Sequence, residues 1–159
     1  MREKHDGILG ASDSVRLWLR LLSCAMVIEK GVRRGLTEGY KTTLPRFDVL
    51  AALDRNPDGM TMGALSSSLL VSNGNITALV RALERDGHVT LVSSETDRRA
   101  NVATMTPSGK AYFDTLAAAH HRWIDAMFDH LSLGQREELF DLLGALKVSI
   151  AHTGPEQMP

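Results

Sequence analysis

Residues 60–107 constrain this chain more than any other stretch, because residues 72–87 hold a helix pattern whose two faces differ in chemistry. Ile76, Leu79, Val80 and Leu83 recur at i, i+3, i+4 and i+7, the spacing that lines one side of an α-helix and turns it toward a core. Asn73, Thr77 and Arg81 stand four apart on another side. Their amide, hydroxyl and guanidinium groups form one polar ridge, of the types that pair with base edges and phosphates. Ser72 suits the N-cap, and Gly87 suits the position just past the helix end. Upstream, Thr61 can cap a short helix carrying Met62, Leu65 and Leu69, and Leu70-Val71-Ser72 has the length of the turn in a helix-turn-helix. The pattern predicts a recognition helix for DNA.

After Gly87, residues 89–93 and 101–106 have strand composition and flank the polar tip Ser94-Glu95-Thr96-Asp97-Arg98-Arg99-Ala100. This predicts a two-stranded wing whose Arg98 and Arg99 reach a minor groove beside the major groove that the helix occupies, with Asp97 restraining one arginine. The plainer alternative is a packing helix with a solvated polar face and a charged surface turn. Each feature alone suits either reading; their order along the chain favours DNA.

Helix-turn-helix, wing with Asp97-x-Arg99, then Met105-Thr106-Pro107-Ser108-Gly109, with long helices on both sides, resembles the MarR family of winged-helix transcription factors. The resemblance spans nearly the whole chain. It implies that residues 72–86 enter a major groove, that Arg99 enters a minor groove, and that the terminal helices build a homodimer.

Apolar residues make up 43% and charged residues 23% of the 159, enough for one well-packed core and too apolar for disorder. The charged opening Met1-Arg2-Glu3-Lys4 and the lack of an apolar run near the roughly 18 residues of a membrane span lead us to expect a cytoplasmic protein without signal peptide or anchor. Net charge is −1, distributed as ten Lys+Arg against eight Asp+Glu in residues 1–60, five against four in 61–110, and three against seven in 111–159. An acidic C-terminal part orients the molecule on DNA more than it strengthens binding. Cys24 is the single cysteine, which excludes an intrachain disulfide. Its apolar neighbours suggest a small buried residue; a peroxide-sensing thiol, as in some MarR-like proteins, is the alternative.

In chain order, residues 14–36 form a helix with two apolar lines, one through Val15, Trp18, Leu19, Leu22, Ala25 and Met26, the other through Leu17, Leu21, Cys24 and Ile28. Two apolar faces require two partners, here the helix's own domain and a second subunit. Gly35 and Gly39 loosen the chain before Tyr40. Thr43 then caps a helix with Pro45 in its first turn, Phe47, Leu50 and Leu53 inside, and Asn56-Pro57-Asp58-Gly59 at its end. Thr106-Pro107 opens a long helix with Tyr112, Leu116, Ala119, Trp123 and Met127, and Ser132 with Gln135 makes a capping box for a last one.

The expected fold is therefore mainly α with a small β-wing: a winged helix-turn-helix unit over residues 43–106, with helical dimerisation regions over 1–42 and 107–159. No phosphate loop, His-Glu-x-x-His or Gly-x-Ser-x-Gly is present, so no enzyme is expected. No cofactor or metal is expected either: His120 and His121 with Asp125 and Asp129 could place a histidine and two carboxylates along one helix face, which reads as solvated acidic surface rather than as ligands.

The expected function is a dimeric repressor on an inverted-repeat operator, contacting double-stranded DNA through Ser72, Asn73, Asn75, Thr77, Arg81, Arg98 and Arg99. A winged-helix module that binds proteins is the alternative. Leu17-Trp18-Leu19-Arg20-Leu21-Leu22, Ile28-Glu29, Thr42-Thr43-Leu44-Pro45-Arg46-Phe47-Asp48 and Val71-Ser72-Asn73-Gly74-Asn75 resemble a MarR subgroup that responds to hydroxycinnamoyl-CoA-type thioesters in aromatic-acid degradation. This resemblance implies an aromatic effector. Trp18 and Phe47 offer an aromatic slot, and Arg16, Arg20 and Arg46 an anion site at its mouth; otherwise the rings are core and the arginines surface.

Overall fold

The computed structural model describes residues 13–69, 72–93 and 101–152. Among the described residues, six helices and three short strands follow one another as α1 (Asp13–Tyr40), α2 (Leu44–Asp54), β1 (Met60–Thr61), α3 (Met62–Leu69), α4 (Asn73–Arg85), β2 (Val89–Ser93), β3 (Asn101–Met105), α5 (Pro107–Phe128) and α6 (Leu133–His152). This is a mainly α fold with a small sheet. Backbone packing divides it into one compact unit up to Trp123 and another from Ile124 onward.

Two features of the fold differ from the sequence pattern. The first helix does not loosen at Gly35 and Gly39 but continues to Tyr40. Gly35 faces the Trp123 ring so closely that a Cβ there would lie 2.7 Å from Cζ2, so the glycine provides room for an indole rather than freedom for the backbone. The helix ends at Lys41, whose φ of 52° reverses the chain and lets the Thr42 N–H bond to the Leu36 carbonyl at 3.2 Å. The second difference is a third strand. Met60 and Thr61 pair antiparallel with Ala103 and Val102, giving the order β1-β3-β2 with β3 in the middle. Gly59 admits this strand: its φ is 87°, and a Cβ would stand 2.7 Å from the Ala103 carbonyl oxygen.

The helix starts follow the expected local chemistry in part. Thr61 Oγ1 accepts the Ala64 N–H at 3.2 Å, and Ser132 and Gln135 exchange both bonds of a capping box. Thr43 and Ser72 hold the extended N-cap backbone, but their hydroxyls make no cap bond. The core of the first unit forms where Leu50, Leu53, Leu65, Ile76, Val80, Leu83, Val89, Ala103 and Leu116 converge, all essentially without solvent contact. Each large aliphatic among them contributes about 1.5–3 kcal/mol by burial. In the second unit α6 contains no buried residue.

One junction ties the end of α4 to the start of α5. Gly87, at φ 77°, forms a double C-terminal cap: its N–H bonds to the Glu84 carbonyl and that of His88 to the Leu83 carbonyl, each at 2.9 Å. Thr106 Oγ1 and Ser108 Oγ both donate to the Gly87 carbonyl, at 2.7 and 2.8 Å, and the His88 carbonyl accepts the Thr106 N–H at 3.0 Å. Gly109 lies against the same backbone, where a Cβ would sit 2.0 Å from the His88 oxygen. Gly109→Ala should therefore destabilise the protein by about 1–3 kcal/mol, since a backbone carbonyl must move to admit it. Gly39→Ala, with nothing within 4 Å, should stabilise by about 0.5–1 kcal/mol. Denaturant melts of the two variants check this, and similar effects for both would show that the contact at Gly109 is not tight.

Candidate nucleic-acid interface

Helix α4 is held on one side and open on the other. Ile76, Val80 and Leu83 are fully buried, Leu79 is half-buried, and Gly74, Asn75, Thr77, Ala78, Arg81 and Arg85 are exposed, as is Ser72 at the N-cap. Apolar spacing thus turns the polar ridge outward. The structure places Ser72, Asn75, Thr77 and Arg81 on this one helix. The side chain of Asn73, the turn residues Leu70 and Val71, and the wing tip with Asp97, Arg98 and Arg99 lie outside the described residues.

The C-terminal end of α4 is fixed by three elements. Arg46, from the first turn of α2, pairs with Asp86 across a separation of 40 residues. The hydrogen bond from Arg46 holds the Asp86 carboxyl below the usual carboxylate range. His88 lies flat on Tyr112 of α5, with ring centres 4.3 Å apart and planes 7° from parallel. With the Gly87 cap, these contacts fix the C-terminal end of α4, while Ile76 and Val80 bury its earlier turns in the core. Within α4, Arg81 Nη1 donates to Glu84 Oε2 at 2.9 Å.

The five residues expected around an aromatic ligand do not form one cluster. Trp18 is 56% exposed on α1, and Arg16 pairs at 3.5 Å with Asp13. Arg20, also on α1, is exposed. Phe47 is buried, and its ring neighbours among the described residues are His120 at 5.0 Å and Phe113 at 5.6 Å, not Trp18. Arg46 is committed to Asp86. Sequence reasoning read His120 as part of a solvated acidic face, whereas it is half-buried and stacks on Phe47. Burial, and secondarily His121, push its imidazole below the ordinary histidine value. It also missed Asp48, whose carboxyl is raised by burial, against the pull of Arg33. A cavity of about 310 Å³ lies elsewhere, lined by Leu53, Pro57, Met105 and Lys110 among others. Cys24 is exposed rather than buried. Among the described residues, no three His, Cys, Asp or Glu side chains gather as a metal site, and no helix is long and apolar enough to cross a membrane.

Comparison with known proteins places this geometry. The MarR family model matches residues 40–100, from the end of α1 to the residue before β3. A MarR-family transcriptional regulator from Silicibacter pomeroyi is 32% identical, with a TM-score of 0.74 over 88% of this chain and 99% of that one. The chain belongs to the MarR family of transcriptional regulators. Within the family it is 43% identical over 105 residues to the transcriptional activatory protein BadR of Rhodopseudomonas palustris. That match covers 64% of this chain and 59% of BadR, so the chain spans less than two-thirds of that relative. A MarR-family regulator of Streptomyces coelicolor, solved in complex with DNA, shares the fold at a TM-score of 0.77 and 19% identity, over 95% of this chain and 98% of that one.

In this MarR fold the Arg46–Asp86 pair anchors the helix that bears the polar ridge. Because the folded carboxyl of Asp86 is depressed, its contribution to stability is present above the unfolded aspartate value of about 4 and is lost as pH falls through the lower folded value. Asp86→Asn should lower the melting temperature at neutral pH and flatten its decline in acid. Melts from pH 2 to 7 check this, and parallel curves for the two proteins would refute the linkage.

Proposed function

We propose that the chain acts as a homodimer that binds an inverted-repeat DNA operator through α4 and the wing, and that an aromatic acyl-CoA-type ligand weakens this binding. The observation that carries the DNA reading is the exposure of Asn75, Thr77 and Arg81 on a helix, with Ser72 at its N-cap, whose other face is buried and whose C-terminal end is pinned. A helix that served packing alone would not require so firm a base. Asn73 and Arg81 read base edges, Ser72, Asn75 and Thr77 support them in the major groove, and Arg98 and Arg99 follow a minor groove or phosphates. The Streptomyces regulator solved on DNA lends this the support of a shared fold.

The dimer rests on apolar surface. Leu17, Trp18, Met26 and Val27 of α1 and Leu133, Phe140, Leu142 and Ile150 of α6 are exposed in the single chain, more than a lone soluble domain ordinarily presents. A two-fold partner would cover them and set two copies of α4 on half-sites about 10 base pairs apart, centre to centre. Sedimentation at micromolar concentration should give twice the chain mass, and a folded monomer there would overturn the dimer.

For DNA, operator duplexes are selected from a random pool and then titrated with variants. Arg81→Ala should cost on the order of 1–3 kcal/mol at one operator position, where discrimination is lost. Arg99→Ala should weaken binding to operator and unrelated duplexes alike. If neither variant changes affinity, the docking assignment fails. Whether the protein represses or activates depends on where the operator lies relative to the promoter. BadR is named an activatory protein, so the repressor expectation rests on resemblance alone.

The ligand reading rests on the resemblance of the segments around Trp18 and Arg46 and on how Arg46 is held. An anionic group that took Arg46 would take it from Asp86, releasing the base of α4, so one ligand contact would alter the reading helix. The slot expected of Trp18 and Phe47 is not closed within one chain, where the Phe47 ring meets His120 and Phe113, so the ligand reading rests on Arg46. Exposed Cys24 supports a second reading, in which oxidation is the signal. Titrating the DNA complex with aromatic acyl-CoA thioesters, the free acids and hydrogen peroxide separates these readings. Release by thioesters is expected; release by free acids alone would remove the arginines from the site. Release by peroxide that is abolished in Cys24→Ser would replace the ligand with a redox signal.

A further inference from the structure

The exposed ridge of α4 includes a negative charge. Glu84 stands one turn beyond Arg81, its side chain about one-third exposed, and one of its oxygens accepts a hydrogen bond from Arg81 Nη1 at 2.9 Å. A carboxylate on a DNA-facing helix opposes binding to any duplex, because it faces a dense row of phosphates. In a chain whose net charge is already −1, such a residue lowers affinity where little is available. Its position beside the principal base-reading arginine gives it a use. We propose that Glu84 is a specificity-determining residue that suppresses indiscriminate phosphate binding by Arg81 and orients its guanidinium for a base edge. The proposal rests on the reading of α4 as the DNA-recognition helix.

Two physical effects act together. The contact is monodentate: one guanidinium nitrogen meets one carboxylate oxygen, so other N–H donors of Arg81 stay available for a two-point contact with a guanine edge. Fixing one corner of a planar group also removes part of the rotamer freedom that Arg81 would otherwise lose on binding. The charge effect works in the opposite direction on phosphates. A phosphate oxygen is attracted to the sum of Arg81 and Glu84, which is near zero, whereas a guanine edge relies on directional hydrogen bonds and depends less on that sum. Glu84 therefore costs affinity on all DNA, and costs more where Arg81 has only phosphates to contact. The net result is a larger ratio of operator to non-operator binding.

Glu84→Gln tests this with little change of shape, since glutamine keeps an oxygen that accepts from Arg81 while the charge is removed. Operator and scrambled duplexes are titrated with wild type, Glu84→Gln, Arg81→Ala and the double variant between 50 and 200 mM salt. Glu84→Gln should raise affinity for the scrambled duplex by about threefold or more and steepen its log–log salt slope by about one, as one further phosphate contact would. The gain on the operator should be smaller, so the specificity ratio falls. In the Arg81→Ala background the same substitution should leave the ratio unchanged. Equal gains on both duplexes, no gain on either, or a fall in ratio that persists without Arg81 would overturn the role of Glu84. Arg81→Ala binding both duplexes as wild type does would overturn the recognition-helix reading itself. A purely structural role for the pair would alter the melting temperature without moving the ratio.

Discussion

The presentation of α4 depends on the contact between two backbone segments, His88 on one side and Gly109 on the other. Without a side chain at 109, α5 can begin directly against the turn that ends α4. Thr106 then uses its position fully: its hydroxyl donates to the Gly87 carbonyl and accepts the Gly109 N–H at 2.9 Å, capping α5 and closing α4 with the same atom. Ser108 adds a second donor to the same carbonyl. A peptide group that would otherwise end α4 in solvent is bonded instead to the first turn of the long helix α5.

The Arg46–Asp86 pair acts at the same end of α4 from the other direction. Half-exposed ion pairs contribute little on their own, typically below about 1 kcal/mol. Their value here is positional, since α2, α4 and the start of α5 meet at the α4–β2 turn, where Asp86, Gly87 and His88 follow one another. His88 adds the stacked Tyr112, and its Nδ1 is buried without a hydrogen-bond partner. Leaving such an atom unsatisfied costs about 1–3 kcal/mol, which the ring stacking and the backbone bonds of the turn offset.

Local periodic signals were legible and non-local ones were not. The boundaries of α4 followed from Ser72, the apolar spacing of Ile76, Val80 and Leu83, and Gly87, because capping and amphipathicity act within a few residues. Strand β1 was hidden, since two residues cannot show alternation and Met60 and Thr61 pair with residues far along the chain. Gly35 misled for the same reason: a helical glycine suggests a break, and only the Trp123 ring explains why the helix continues. Of the candidate site, the exposed residues of α4 were legible. The Arg81–Glu84 contact was within reach too, because i, i+3 opposite charges on a helix meet. The link from Arg46 to Asp86 carried no local signal, and neither did the commitment of Phe47 to His120.

Helix α6 shows how far a single chain can be understood alone. It is 20 residues long with no buried residue, although it carries Leu139, Phe140, Leu142, Leu143, Leu146, Val148 and Ile150. Isolated helices of this length are marginal in water and ordinarily gain their stability by packing an apolar face. Its apolar residues are also spread around the helix rather than confined to one stripe, so a single neighbour would leave some of them wet. In the proposed homodimer the same helix would meet its copy across a two-fold axis, an arrangement in which one surface solves the packing problem for both chains. The two α4 helices would then be related by that axis. Their spacing would be set by packing in the dimer, and operator geometry would become a consequence of how α1 and α6 bury their apolar side chains.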